Sequence, residues 1–274
     1  MNSKIALGQY YPANSPIHRA DGRIKIVCSV IYMVAAFLCA SDLSFVWLTA
    51  ATVLLVAVSR VPLRVILRSI RMIIFILVLT FVLNAFLFRG EGEPLFSFWK
   101  ITLYKDGIRH ALKMALRLVD LITATSLIIS YTTTPVDITH SLESVLSPLK
   151  LIKIPVHYFS MMMFIALRFI PTLAEDTDRI ITAQKSRGAD FTEGSLLSRI
   201  KSLVPVLIPL FLSSFRRAEE LADAMECRCY HGDSGRTRMN KSVIRIPDII
   251  LLCSFVLLAG GVVALNIVFP GALF

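Results

Sequence analysis

A polar block from about Pro135 to Lys241 is set between very hydrophobic segments, and this arrangement constrains the fold more than any other feature of the chain. Hydrophobic residues make up 55% of the 274, and mean hydropathy is +0.70. A soluble domain of this size has too small an interior for so much apolar surface, whereas bilayer-crossing runs of about 20 apolar residues accommodate it. Five runs are expected to cross: Ile24–Ala40, Leu43–Val58, Met72–Phe88, Leu112–Tyr131 and Val243–Phe269. The first begins too late, with flanks too polar, for a cleaved secretory signal. The expected fold is an all-α integral membrane protein with about five transmembrane helices and a pair of long, crossing helices in the polar block. Three regions follow: 1–134 (lead-in and four spans), 135–242 (helix-pair module) and 243–274 (last span).

A net charge of +10 could point to nucleic acid, but where the charge sits argues otherwise. Lys4, Arg19, Arg23 and Lys25 precede the first span, and Arg60, Arg64, Arg68 and Arg71 form a basic loop between the second and third. Fifteen of the 29 Lys and Arg lie between 135 and 245, while the Ser41-Asp42 turn has none. Basic residues stay on the cytosolic side of a bilayer. The N-terminus, the 60–71 loop and the polar block are therefore expected in the cytosol, with the C-terminus outside. One region runs against this count: Arg89 to Arg117 carries six bases and should be external.

Residues 1–23 read as a cytosolic lead-in. Phe96, Phe98, Trp99, Ile101, Leu103 and Tyr104 suit an interfacial loop or short β-hairpin against headgroups. A short amphipathic helix is expected over Val136–Leu151. Two long helix-patterned runs then repeat one plan. Val156 to about Arg187, interrupted at Pro171, is apolar first and amphipathic later. Leu196–Phe215 is apolar and Arg216–Arg228 amphipathic. About 30 residues make a rod of about 45 Å. Each run ends in a small–Arg–small triplet, Ser186-Arg187-Gly188 and Cys227-Arg228-Cys229. Ala183, Ala218 and Ala222 are small enough to let two such helices cross closely, or serve only as good helix formers.

Catalytic and ligand chemistry finds little support. Tyr230-His-Gly-Asp-Ser-Gly235-Arg236-Thr237 lacks the first Gly and the Lys of a P-loop. Cys227, Cys229 and His231 lack a second ligand pair, so no metal site is expected. Acid–base clusters at Glu175–Arg179 and Arg216–Asp223 read as solvated ion pairs. Asp120 and Arg117, three apart, read as a neutralised pair within a span. Cys28, Cys39 and Cys253 act as small apolar residues. One exposed arginine means little. Two at the ends of paired rods suit bidentate docking to carboxylates on a partner.

Several motifs resemble one family. Gly8-Gln9-Tyr10-Tyr11-Pro12 and Ser15-Pro16-Ile17-His18-Arg19-Ala20-Asp21-Gly22-Arg23 are similar to its opening, with Gly22 where Pro is usual. Thr133-Thr134-Pro135, Leu146-Ser147-Pro148-Leu149-Lys150 and Ala166-Leu167-Arg168-Phe169-Ile170-Pro171-Thr172-Leu173 resemble its central motifs. Ala183-Gln184-Lys185-Ser186-Arg187-Gly188 and Ala224-Met225-Glu226-Cys227-Arg228-Cys229 resemble its two Ala-Arg-Gly-type signatures, with Cys227 and Cys229 replacing Ala and Gly. The family is the transmembrane T component of energy-coupling factor (ECF) transporters, prokaryotic importers of vitamins and transition-metal ions.

The resemblance implies a non-catalytic subunit of the cell membrane. Its arginine tips would dock into two ABC-type ATPases, which bind ATP and Mg; this chain holds no cofactor. A substrate-binding S component would rest on a platform including Met161, Met162, Phe164, Ile165, Leu207, Leu210 and Phe211. The opening motif is nearer to the version shared among vitamin-specific S components than to the cobalt or nickel type. The other readings are a permease subunit of another ABC transporter and a stand-alone secondary carrier.

Overall fold

The computed structural model describes residues 10–87, 94–98, 101–148, 156–189, 191, 195–232 and 244–269. The described residues are all-α apart from one small hairpin. In order come α1 (Pro16–Arg19), α2 (Gly22–Leu38), α3 (Asp42–Ser59), α4 (Leu63–Leu87), β1 (Pro94–Phe98) and β2 (Ile101–Tyr104). They are followed by α5 (Lys105–Thr125), a π-helical turn (Ser126–Tyr131), α6 (Pro135–Val145), α7 (Val156–Ser186), α8 (Leu196–Glu226) and α9 (Ile246–Val268). β1 and β2 pair antiparallel, with an irregularity between Pro94 and Phe96. The described residues fall into two compact units, one within Val145–Lys241 and the other from Gly8–Ser144 with Ser242–Phe274.

In the larger unit α2 lies at the centre. Cys28, Tyr32, Ala35 and Ala36 are buried along it and cluster with Leu48 of α3, Ala124 of α5, Ile128, and Phe255 and Val262 of α9. Small side chains on α2 let neighbouring helices come close, which packing between membrane helices requires. Side chains cap the helix starts. The Asp21 carboxylate accepts from Arg23 N–H at 3.0 Å, and Ser41 Oγ accepts from Ser44 N–H at 3.3 Å.

α2 and α9 run parallel, fastened at both ends. At the start, Asp248 Oδ2 accepts from Arg245 N–H (2.8 Å) to cap α9, and its Oδ1 reaches the Asp21 backbone. At the far end, Asn266 Oδ1 accepts from Ala40 and Ser41 N–H (3.3 and 3.2 Å) while its Nδ2 donates to Leu38 C=O (2.6 Å). The π turn widens the backbone after α5, and Tyr131 C=O accepts from Tyr11 N–H (3.0 Å). Lys25, 2% exposed, donates to His18 C=O, Thr132 C=O and Thr133 Oγ1 at 3.2, 2.9 and 3.3 Å. All three ammonium protons are thereby satisfied, as a buried cation requires.

Several sequence expectations are revised. Among the described residues, four helices are long and apolar enough to cross a membrane: α3, α4, α7 and α9. Of the five runs expected, α2 is a 17-residue helix, and α5 carries Asp106, Arg109, Lys113, Arg117 and Asp120. α4 starts nine residues before Met72, so Arg64, Arg68 and Arg71 lie on a helix and not in a loop; arginine is a good helix former and does not end one. α6 stops at Val145, short of Leu151. α7 continues through Pro171 and α8 through Pro205 and Pro209. A proline in a long helix removes one hydrogen bond and can bend the rod without ending it.

Arg117 and Asp120 do not pair with each other. Arg117 donates to Cys39 C=O at 2.5 Å and lies over the Phe45 ring, 5.1 Å from its centroid. Asp120 accepts from Thr49 Oγ1 at 2.7 Å. The cation thus meets the negative end of α2, a better partner than a neighbour on its own helix. Arg109 and Lys113 both pair with Asp42 at the α2–α3 turn. Two of the six bases that run against the charge count, Arg109 and Lys113, thus share one counter-charge, although acids carry little weight in that count.

Candidate functional site: twin arginine helix ends

α7 ends in a tight, fully bonded turn. Gln184 C=O accepts from Arg187 and Ala189 N–H, both at 3.0 Å, and Lys185 C=O accepts from Gly188 N–H at 3.0 Å. Gly188 has φ 86°. This is a Schellman motif, in which a left-handed residue turns the chain so that otherwise orphaned carbonyls are used. Glycine adopts that backbone without steric cost.

α8 ends in the same way. Met225 C=O accepts from Arg228 and Tyr230 N–H, both at 3.1 Å, and Glu226 C=O accepts from Cys229 N–H at 2.9 Å. Cys229 supplies the left-handed residue, with φ 56°. Arg187 and Arg228 therefore occupy equivalent positions, each the last residue before the left-handed turn. Both are exposed, and neither has an ion-pair partner among the described residues. Ser186 is exposed, its Oγ donating back to Thr182 C=O at 3.2 Å, and Cys227 and Cys229 are exposed free thiols.

Within this unit the two helices run antiparallel. Beyond the α8 cap, Tyr230 OH donates to Met161 Sδ (2.8 Å), and Gly232 lies against Tyr158, on the first turns of α7. A Cβ on Gly232 would come within 2.8 Å of the Tyr158 hydroxyl. The Arg228 end is thus held beside the start of α7, and Arg187 stands at its finish. Twenty-six residues from Met161 to Arg187 put the two ends on the order of 40 Å apart.

The helices also meet about two-thirds of the way along each. Arg217 of α8 pairs with Asp176 of α7. An open groove of about 350 Å³ beside this pair is lined by Ile165, Phe169 and Leu173 of α7 and by Ser214, Ala218, Leu221, Ala222 and Met225 of α8. Ala218 and Ala222 line this groove; Ala183 is exposed near the α7 end and does not. α7 thus brings large apolar side chains, and α8 brings the small Ser214, Ala218 and Ala222 beside Leu221 and Met225. The acid and base clusters read as local ion pairs contribute Asp176 and Arg217 across the helices instead. Of the platform residues, Met162, Leu207 and Phe211 are exposed, while Met161, Phe164, Ile165 and Leu210 are half-buried. Tyr230 and the Asp176–Arg217 pair were missed, since nothing local in the sequence marks contacts formed between two helices.

These features define a multi-pass α-helical membrane protein carrying a two-helix module whose ends each present one arginine. The family described as cobalt transport protein, CbiQ, matches residues 13–240. The chain is 49% identical to an "Energy-coupling factor transporter transmembrane protein EcfT" of Acidaminococcus fermentans, over 94% of this chain and 97% of that protein. Proteins of the same description from Ruminiclostridium cellulolyticum and Bacillus subtilis are 46% and 40% identical, covering 97% and 94% of this chain and 98% and 97% of theirs. The chain belongs to this family, the transmembrane T components of ECF transporters.

Proposed function

We propose that the chain is the scaffold and coupling subunit of an ECF-type ABC importer for vitamins. Two ATPase subunits, holding ATP and Mg, take Arg187 and Arg228, each with its flanking pair Ser186 and Gly188 or Cys227 and Cys229. A substrate-binding S component rests on the apolar halves of α7 and α8, around Met161, Met162, Phe164, Ile165, Leu207, Leu210 and Phe211. ATP-driven closure of the ATPases moves the arginine ends and tilts the S component in the bilayer. The N-terminus and the helix pair lie in the cytosol and the C-terminus outside, in a prokaryotic cell membrane.

One observation carries this reading: the same cap, with arginine at the same position, closes both helices at opposite ends of one module. A pair of like sites on two motor subunits calls for two like handles. Guanidinium forks suit carboxylates, and a cap fixes the backbone from which each fork projects. Loss of one partner of a partly buried Arg–carboxylate pair costs about 3–5 kcal/mol. Arg187→Glu and Arg228→Glu are each expected to strip ATPases from the complex purified through this chain, or to abolish uptake, with the membrane unit still folded. Normal co-purification together with normal uptake would overturn the assignment.

A further inference from the structure

We propose that the outer face of α4 is a binding site for the headgroups of anionic phospholipids. Arg64, Arg68 and Arg71 recur at steps of four and three residues, so they share one face, and all three are exposed. The opposite face packs inward: Ile66 is buried, and Ser69 bonds the Tyr131 hydroxyl. The arginine face continues along the helix as Phe75, Leu79, Val82 and Phe86, all exposed. Only 6% of the apolar window of α4 is buried by the described residues of this chain, against 33% for α3, so this side of the helix is left open to lipid.

Depth and charge then select the ligand. The apolar stretch from Met72 to Leu87 is about 24 Å long, and the three arginines occupy about 10 Å of helix just before it. That places them at one edge of the hydrocarbon, with long stems able to bring the guanidinium groups to the phosphate level. No Asp or Glu occurs between Asp42 and Glu91, and none of the three arginines has an ion-pair partner among the described residues. A row of guanidinium forks without carboxylates takes phosphodiesters. A headgroup with net negative charge is preferred, because a zwitterionic one carries its own ammonium beside the phosphate. Arg60, just before α4, adds a fourth positive charge, although it also donates to Asn14 C=O at 3.5 Å. This inference does not depend on the arginine caps of α7 and α8.

The test uses the full chain with whatever subunits co-purify, reconstituted in bilayers of phosphatidylglycerol and phosphatidylcholine in equal amounts, then gently delipidated for native mass spectrometry. The expected result is retained phosphatidylglycerol in clear excess over phosphatidylcholine. Each Arg→Gln change at 64, 68 or 71 should lower that excess about fivefold, or about 1 kcal/mol per arginine. The triple Arg→Lys variant should keep most of it, since lysine also binds phosphate as a point charge. Should the triple Arg→Gln variant fail to fold, the single changes carry the same expectation. Equal retention of the two lipids by the wild type would overturn the proposal. So would an excess unaltered by Gln, loss of a co-purifying subunit from the Gln variants with the excess unaltered, or release of the lipid by excess inorganic phosphate alone.

Discussion

The backbone N–H of Asp21 donates to Oδ1 of Asp248 at 3.0 Å, joining the start of the first long helix to that of the last across 227 positions of sequence. The carboxylate is 2% exposed, and its second oxygen caps its own helix. One side chain therefore satisfies two amide groups on two elements. Asp248→Ala leaves both without an acceptor, each at about 1–3 kcal/mol. We expect a large fall in the thermal unfolding midpoint of the purified chain. Asp248→Asn, which keeps one carbonyl acceptor, should fall by clearly less; equal effects of the two variants would contradict this role.

Cys229 sits in a left-handed backbone that costs a side chain roughly 1–2 kcal/mol. Glycine relieves that strain but gives back part of the gain through its freer unfolded chain. Cys229→Gly should thus stabilise the α8 end by about 1 kcal/mol, while Gly188→Val at the matching position should destabilise the α7 end. Protection of the Tyr230 and Ala189 amides against hydrogen exchange reads each effect locally. No gain in protection at Tyr230 would refute the strain argument.

Asp176 and Arg217 form an ion pair between α7 and α8, and both side chains are less than a third exposed. A double-mutant cycle with Asp176→Ala and Arg217→Ala should return a coupling energy of about 1 kcal/mol, above that of most surface pairs. A coupling indistinguishable from zero would mean that the two helices are held together without this pair.

His18 supplies a pH dependence. Burial holds its imidazole below the usual 6.5, and the nearby Lys25 ammonium pushes the same way, against the Tyr11 carbonyl, which favours the proton. The folded state therefore binds protons less readily than the unfolded chain. His18 costs no stability above pH 6.5, and the fold loses stability as pH falls below that value. Its ring contacts are Ser15 Oγ at Nδ1 (2.7 Å) and Tyr11 C=O at Nε2 (2.9 Å). The wild type should lose more stability than His18→Gln between neutral and mildly acid pH. Parallel curves for the two proteins would remove His18 from the account.

Much of this architecture was legible because lipid demands long apolar runs, and such runs are visible without any alignment. The α7 end was legible too, since Gly188 is the residue a left-handed turn prefers. The equivalent turn at Cys229 was not, because cysteine carries no such signal; only the likeness of the two Arg triplets hinted at it. The start of α4 is not legible from charge, because arginine favours helix and a basic run does not mark a loop. Arg117 and Asp120 were paired by proximity along one helix, whereas a carbonyl at the end of α2 and a hydroxyl on α3 proved the better partners. The bolts between α2 and α9 are contacts between distant segments. Their only trace is a polar residue at each edge of an apolar run, Asp248 and Asn266.

Among the described residues α7 and α8 lie antiparallel and are tied at two places, by the Asp176–Arg217 pair and where Tyr230 and Gly232 meet Met161 and Tyr158. With two ties the pair has no free hinge between them, so under the coupling role proposed above a pull on either arginine end would carry both rods together. Displacement at the tips would then reach the oily stretches of both helices undiminished.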